Sequence, residues 1–402
     1  MSSPTVDNYG LEISAASDAA RDSFLQGMDC ALSLDHPGIE QLTRTVECDP
    51  EFALAHALLA RQLFIHGFAP MAQQHMSLAE QLAHTATRRE QSTINVLSAT
   101  LGFNFDALSL AKAHIETWPQ DTIVLTLLLG PFGLLAFSGD RQWRQQNMDL
   151  LNLVATAFPE DDWWFTSTVG FMSAETGDLA TARSMAETAL QLRNTGNCAH
   201  TLAHVHFEET AIDEGQEFIR DWCQQYPDSD MRHHMIWHSA MLSLEAGDTD
   251  GLLDLYAGEL DAAVCDPMPL ETLSDNASLL WRCRLRGLSV PADSCEAMYE
   301  YSRRHFPAAG FPFADIHCSM MAAILGIGAT KDYRAELANV DSNVGEVVDR
   351  FTRGFYAFAD GAYAEAADLL QQSNDSIFLG GSNPQRRVVE ETRQAALQHL
   401  SG

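Results

Sequence analysis

Several common signatures are missing from this sequence, and each absence narrows the class of protein. The eight cysteines are scattered and form no C-x-x-C pair or zinc-finger spacing. That usage is typical of reduced, structural thiols, so we expect a cytoplasmic protein. The N-terminus lacks the basic and apolar regions of a signal peptide. Alternating runs of β-branched residues are scarce, whereas Ala, Leu, Gln and Glu abound, which favours an all-α fold.

Basic residues are also few. The chain has 24 Lys and Arg against 55 Asp and Glu, and its formal net charge is −31. A surface this acidic repels phosphate backbones and anionic lipids, so we expect neither nucleic acid nor membrane as a partner. The apolar stretch 122–138 is interrupted by Gly130-Pro131 and is shorter than the roughly 20 residues that a membrane span requires. It predicts a buried repeat helix.

Glycines recur at intervals that indicate a helical repeat. They are separated by 35 to 40 positions, with one interval of 70 that corresponds to two repeats. Each can supply the left-handed residue that stops the first helix of a helix–turn–helix unit. The glycines are Gly67, Gly102, Gly139, Gly177, Gly247, Gly287, Gly326 and Gly361.

A second series of breaks consists of X-Pro pairs, which end the second helices because proline cannot continue a helix. These pairs lie at 49–50, 118–119, 158–159, 226–227 and 306–307. The tetratricopeptide pattern is clearest at 167–194, where Ala182 and Ala189 follow Gly177 at positions of close helix contact. We therefore predict an all-α, tetratricopeptide-like α/α superhelix (solenoid) of about ten helical pairs. Residues 1–14 form an N-terminal tail, and 15–402 form a single domain with a C-terminal capping helix.

Two histidine pairs repeat one pattern at the period of the helical units. His200 and His204 are four residues apart, as are His234 and His238, and the pairs are offset by 34 positions. Residues at i and i+4 share one face of a helix. The same register continues approximately to Asp275 and then to Asp315. Because first helices of such repeats line a concave groove, these His, His, Asp and Asp side chains are expected to converge in one pocket.

Three kinds of chemistry fit this arrangement. A divalent metal is one, because two H-x-x-x-H pairs offer four imidazoles: His200, His204, His234 and His238. Acid–base catalysis is another, with His204, His238 and Asp275 as the reacting groups. Ligand binding alone is the third, through His200, His204, Glu208, His234, His238, Asp275, Arg282, Asp315, His317 and Arg386. Any single histidine of these sets can instead satisfy buried polar groups between helices.

Five segments, in order, resemble the tetratricopeptide repeat protein 38 family. They are AHTLAHVHFEETAIDEGQEFIRDW, WHSAMLSLEAGD, DNASLLWRCRLRG, FPFADIHCSMMAAILG and GGSNPQRRVVEET. The resemblance covers roughly residues 30 to 400 and implies an α-helical repeat protein with no assigned reaction. Where the family pattern has an acidic residue after Gln385-Arg386, this sequence has Arg387. Arg386, near the start of the last helix, is expected to supply a cation opposite Asp275 and Asp315.

The main prediction is a protein that binds a small polar molecule or short peptide in a His- and Asp-lined concave pocket. Two alternatives stay open at this point. One is an enzyme that acts on a small molecule in the same pocket, by acid–base chemistry or with a divalent metal. The other is a protein–protein interaction scaffold. Cofactor, substrate and oligomeric state are not defined by the sequence.

Overall fold

The chain folds into α-helices, and the predicted all-α, tetratricopeptide-like class is confirmed. The computed structural model describes residues 5–36, 38–261, 268–328 and 343–401. In these ranges the extended structure amounts to one isolated bridge, between Val6 and Glu12. The helices are grouped in two compact units.

The first unit comprises Met1–Leu135, Gln142–Val205 and Tyr226–Arg232. Its helices pack mainly against their neighbours in chain order, with α3 against α4 and α9 against α10 as the most extensive pairs. These helices are α1 Asp18–Ser33, α2 Ile39–Cys48, α3 Ala53–Ile65, α4 Ala69–Leu82, α5 Arg88–Leu101, α6 Ala107–Thr117, α7 Thr122–Leu128, α8 Trp143–Val154, α9 Trp163–Thr176, α10 Leu179–Leu192 and the larger part of α11 Gly196–Glu208.

The second unit comprises Ala136–Arg141, His206–Gln225 and His233–Gly402. It contains the end of α11 and nearly all of α13. Five of its helices pack in series, in the order α15, α17, α18, α19 and α20, and α20 also packs against α15. The bounds are α12 Ile212–Gln225, α13 Arg232–Ala246, α14 Thr249–Leu255, α15 Pro269–Leu285, α16 Ala292–His305, α17 Pro312–Ile324, α18 Asn343–Ala359, α19 Tyr363–Leu369 and α20 Asn383–Ser401.

Seven of the eight predicted glycines adopt the left-handed conformation, with φ between 67° and 88°. Gly177, for example, directly follows α9 with φ 88°. The prediction is wrong at Gly102, whose φ is −83°. There the left-handed residue is Phe103, with φ 52°. The X-Pro breaks also hold, since α2, α6, α12 and α16 each end one residue before the X-Pro pair.

The stretch 122–138 is not the single buried helix that its apolar sequence predicts. Helix α7 ends at Leu128, and Gly130 follows with φ 83°. The chain then folds back, so that the backbone N–H of Leu134 donates to Leu127 O at 2.7 Å. A Cβ at Gly133 would stand 2.3 Å from Leu128 O, so only glycine fits this reversal. In the described part of the chain, no helix is both long and apolar enough to cross a bilayer.

Residues 5–14, within the segment predicted as a tail, contact the first unit through buried polar groups. Asp7 accepts from Arg89 Nη2 at 3.3 Å, and Arg89 Nε donates to Asp121 at 2.6 Å. Glu90 forms a capping box with Thr87 at the start of α5. The same carboxylate also accepts from the backbone of Ser14 at 2.9 Å. The first part of the chain is therefore held by side chains of α5.

An aromatic core holds the helices of the second unit that carry the candidate site. Trp281 of α15, Phe313 of α17, and Phe351 and Phe355 of α18 are all nearly or fully buried in one cluster. Trp281 Nε1 donates to Thr392 of α20 at 2.8 Å, which satisfies its N–H inside the core. This packing fixes α15, α17 and α20 around the polar side chains described below.

Candidate functional site

The two predicted histidine pairs fall in different units, one pair in each. In the first unit, His200 and His204 approach one another at Nε2–Nε2 2.9 Å, so one of these nitrogens carries the proton and donates to the other. The ring of Phe171 lies 5.4 Å from His200 and 4.7 Å from His204. His204 is buried. The spacing of four residues thus places both imidazoles on one helix face, as predicted.

In the second unit, α13 carries His234 and His238 with ring centroids 4.7 Å apart. Trp237 stacks on His234 at 5.1 Å and an interplanar angle of 17°. Both histidines are buried, His238 completely. The Phe207 ring, at the end of α11, lies 6.2 Å from His238. This face of α13 is therefore polar but enclosed by aromatic rings.

Neighbouring first helices bring His234 and Asp275 into direct contact. His234 Nδ1 donates to Asp275 Oδ2 at 2.7 Å. Asp275 has no exposed surface. Burial alone would lower the pKa of His234, but the Asp275 carboxylate outweighs it, with a smaller contribution from Glu271, and raises the pKa. The contact therefore favours the imidazolium form of His234 relative to an ordinary histidine.

Gln385 also contacts Asp275, and no sequence pattern predicted this residue for the site. Its Nε2 lies 3.4 Å from Ser274 Oγ and 3.5 Å from Asp275 Oδ1. The backbone N–H of Ser382 donates to Gln385 Oε1 at 2.9 Å, and its hydroxyl donates at 3.1 Å. These bonds turn the amide so that its NH2 group points to the carboxylate. A lone glutamine in the first turn of α20 gives no periodic signal by which to find it.

Arg282 lies two turns after Asp275 on α15 and is 1% exposed. Its Nε donates to Glu391 at 2.6 Å, and its Nη2 donates to the carbonyl of Pro384 at 2.6 Å. Its Nη1 is buried and has no hydrogen-bond partner among the described residues. The guanidinium therefore has donors left inside the unit after its charge is paired.

His317 of α17 is completely buried. Its Nδ1 donates to Phe313 O at 2.7 Å. Burial lowers its pKa to about 4, and the nearby positive charge of Arg282 adds to the effect. His317 is thus neutral at pH 7 with Nε2 as a hydrogen-bond acceptor, and this atom has no partner among the described residues.

Asp315 and Arg386 have local contacts that the sequence did not predict. Asp315 Oδ2 accepts from the backbone of Gly310 at 3.0 Å, just before α17. Arg386 donates to Gly381 O and, at 2.5 Å, to Asn383 Oδ1, in the first turn of its own helix. From α20, Gln385, the residue before the predicted arginine, also reaches Asp275, and the position of Arg386 opposite Asp275 and Asp315 stays a prediction.

Glu208 pairs with Arg387, the residue that departs from the family pattern. Arg387 Nη2 donates to Glu208 Oε2, and its guanidinium lies 5.2 Å from the centre of the Phe207 ring. An acidic residue at 387 would place two carboxylates together. The departure from the pattern therefore has a local partner in this chain, at the end of α11.

The cavities described in the two units lie apart from the predicted residues. An open groove of about 1020 Å³ in the second unit is lined by Arg284, Leu288, Phe358 and Tyr363, among others. A pocket of about 170 Å³ in the first unit lies beside Tyr9, Trp163 and Arg193. None of the predicted ligand-binding side chains lines either space. The deep pocket predicted at the repeated His and Asp positions stays a prediction.

The fold and the buried polar side chains define an α-helical repeat protein of the tetratricopeptide-like class. No family model matches the chain. A human IFIT1 dimer with m7Gppp-AAAA is 13% identical over 97% of this chain and 88% of that one, with a TM-score of 0.45. The P58(IPK) TPR domain is 13% identical over 95% and 99%, with a TM-score of 0.24. Similarities this distant carry no argument about function.

Proposed function

We propose that this protein binds a small polar molecule, or the polar end of a short peptide, at a buried group of side chains in its second unit. This group, the Asp275 cluster, consists of His234, Asp275, Arg282, His317 and Gln385. The observation that carries the proposal is a pair of buried atoms without hydrogen-bond partners among the described residues, the donor Arg282 Nη1 and the acceptor His317 Nε2. They accompany a carboxylate with no exposed surface.

The free-energy cost of burying these two atoms without a hydrogen bond favours a bound ligand. Buried polar groups are nearly always hydrogen-bonded, and each unsatisfied one costs about 1–3 kcal/mol. A ligand with a carbonyl or carboxylate oxygen can accept from Arg282, and a hydroxyl or N–H group can donate to neutral His317. Amino acids, hydroxy acids and the ends of short peptides carry both groups. We therefore expect ligands of this class.

Native mass spectrometry and thermal shift test the proposal. The purified protein is examined for a co-purifying small molecule and then screened against amino acids, hydroxy acids and dipeptides. We expect His317→Phe and Gln385→Met each to lower ligand affinity about tenfold, which corresponds to a loss of one to two hydrogen bonds. Gln371→Met, at an exposed glutamine of the same unit that lines neither cavity, is the control and is expected to bind as the wild type does. Binding unaffected by both cluster variants, or no binding from the whole panel, contradicts the proposal.

The enzyme alternative is favoured by the hydrogen bond between His234 Nδ1 and Asp275. A carboxylate that holds one imidazole nitrogen orients the other for proton transfer, as in catalytic triads. The predicted reacting groups His204, His238 and Asp275 remain part of this alternative. The test uses the same bound molecule. If the wild type converts this molecule chemically and His234→Gln does not, the protein is an enzyme. If the wild type releases the molecule unchanged, it is a binding protein.

Several finer predictions from the sequence belong to the same proposal. We propose membership of the tetratricopeptide repeat protein 38 family, supported by the five segments that occur in family order. We expect a cytoplasmic protein that does not bind nucleic acid, because its net charge is −31. A metal at His200, His204, His234 and His238 is tested by elemental analysis of the purified protein. A protein–protein scaffold is the outcome if affinity capture finds a stable protein partner and the ligand screen finds none.

A further inference from the structure

We propose that His233, Glu271 and Asp275 form a binding site for a divalent first-row transition-metal ion. Each of these side chains offers one ligand atom, and the three atoms lie within 4.8 Å of one another. Glu271 and Asp275 are one turn apart on α15, and His233 faces them from α13. The site is distinct from the histidine set that the sequence predicts, and it goes beyond the proposed ligand binding, with which it shares only Asp275.

The distances suit a shared ion. Protein nitrogen and oxygen ligands stand about 2.0–2.2 Å from zinc, so two ligands of one tetrahedral ion are roughly 3.4 Å apart. The three ligand atoms are at most 4.8 Å apart, so side-chain rotations that move each of them by roughly 1 Å allow all three to bind one ion. Helices α13 and α15 carry the ligands, so the backbone spacing is already set.

A hydrogen bond to the backbone determines the tautomer of His233. His233 Nε2 lies 3.3 Å from the carbonyl of Leu260, an arrangement in which Nε2 carries the proton and donates. The lone pair is then on Nδ1, which we assign as the ligand atom of His233. A ligating histidine generally donates its other N–H to a carbonyl or carboxylate in this way.

The neighbouring groups also favour a cation. His233 and Asp275 are 2% and 0% exposed, and Glu271 is half-buried. Two carboxylates this close repel one another, and a divalent cation between them removes that repulsion. Gln385 and His234 donate toward the remaining positions of Asp275, which orients the carboxylate as outer ligand partners do.

The donor set selects the class of metal. Two carboxylates suit Mn²⁺, and one imidazole suits Fe²⁺, Co²⁺ and Zn²⁺ better than Mg²⁺ or Ca²⁺. No thiolate takes part, because the described cysteines do not belong to this group. We therefore expect first-row divalent ions to bind and Mg²⁺ and Ca²⁺ to bind far more weakly.

The full-length protein is treated with a chelator and titrated with Zn²⁺ by calorimetry and with Co²⁺ by visible absorption. We expect one equivalent to bind, with ligand-field bands for Co²⁺. Glu271→Gln and His233→Phe should each weaken binding at least about 100-fold, the upper end of the loss reported for outer ligand partners. Circular dichroism of each variant checks that it folds.

Further variants separate this site from the proposed ligand binding. His317→Phe should lose the small polar ligand and keep the metal, whereas His233→Phe should lose the metal. Metal binding that survives both Glu271→Gln and His233→Phe overturns the assignment. If that remaining binding is lost in His204→Phe, the metal belongs to the histidines predicted from the sequence. Absence of any bound Zn²⁺ or Co²⁺ in the folded wild type also overturns the assignment.

Discussion

Replacing Asp121 with asparagine is expected to destabilise the first unit by about 3 kcal/mol. Asp121 is completely buried, and its Oδ2 accepts from Arg89 Nε at 2.6 Å, from the Thr93 hydroxyl at 3.0 Å and from His114 Nε2 at 3.0 Å. Its Oδ1 accepts from the backbone N–H of Ile123 at 3.1 Å, which caps α7. Asparagine keeps the size of the side chain but removes the charge.

The magnitude follows from what remains around Arg89. Breaking a buried ion pair by removing one partner costs about 3–5 kcal/mol, because the other charge stays buried without compensation. Arg89 is 4% exposed and keeps Asp7 at 3.3 Å, so we expect the lower end of that range. If the asparagine oxygen keeps the hydrogen bond from the backbone N–H of Ile123, the asparagine NH2 group faces the donors of Arg89, Thr93 and His114 and cannot accept from them. The hydrogen bonds are not added separately, since they form one network.

Hydrogen exchange measured by mass spectrometry assigns the loss to this unit. Amides in peptides covering 86–128 should exchange roughly 150-fold faster in Asp121→Asn, which is 3 kcal/mol at 1.36 kcal/mol per tenfold. The control is Asp178→Asn, an exposed cap of α10 whose side chain accepts from Thr181 N, and it should leave exchange unchanged. Adding Arg89→Met to Asp121→Asn should recover part of the loss, because the uncompensated charge of Arg89 is removed while the buried Asp7 loses its partner. Unchanged protection in Asp121→Asn, or no recovery in the double variant, refutes the reasoning.

Two further predictions concern acid and backbone conformation. Burial alone would raise the pKa of Asp121, but Arg89 and the hydrogen bonds hold it far below the ordinary 3.8, so its stabilisation is complete above that pH and is lost as the pH falls below it. Burial raises the pKa of Asp7, so its contribution to stability is present at low pH and is lost as the pH rises. Urea midpoints of Asp121→Asn and Asp7→Asn, measured across the acid range, separate the two effects. A loss of stability at acid pH that persists in Asp121→Asn contradicts the assignment to Asp121. Gly177→Ala should cost about 1 kcal/mol because φ is 88° and no atom lies within 4 Å of the added Cβ. Gly258→Ala, in a helical turn without left-handed φ, should be neutral or stabilising, and equal melting-temperature shifts would contradict this account.

Local chemistry explains which parts of the fold were predictable. A glycine after a periodic helix and a proline after the next one act within a few residues, so the units and their breaks follow from the sequence. The exception at Gly102 is a shift of one residue, because the next residue, Phe103, adopts the left-handed conformation instead. The prediction of one helix over 122–138 was wrong because hydrophobicity indicates burial and not conformation, and Gly130-Pro131 ends the helix.

The candidate site was predictable only where the repeat itself carries it. His234 and Asp275 occupy corresponding positions on first helices, so the register led to both before any contact was known. Gln385 and Glu391 reach α15 from α20, 110 and 109 positions away in the chain. Nothing periodic connects them to Asp275 or Arg282. Such partners are defined by the packing of the last helix, which one sequence does not specify.

The contact of Asp7 with Arg89 has a consequence for the order of events during synthesis. The two residues are 82 positions apart. At the usual 5–20 residues per second, Arg89 is made roughly 4 to 16 s after Asp7. During that interval the segment 5–14 has no α5 to bind, although Leu11 and Ile13 are already made and will later be buried. A ribosome-bound chain should thus expose Leu11 and Ile13 to chaperones and proteases until α5 has emerged.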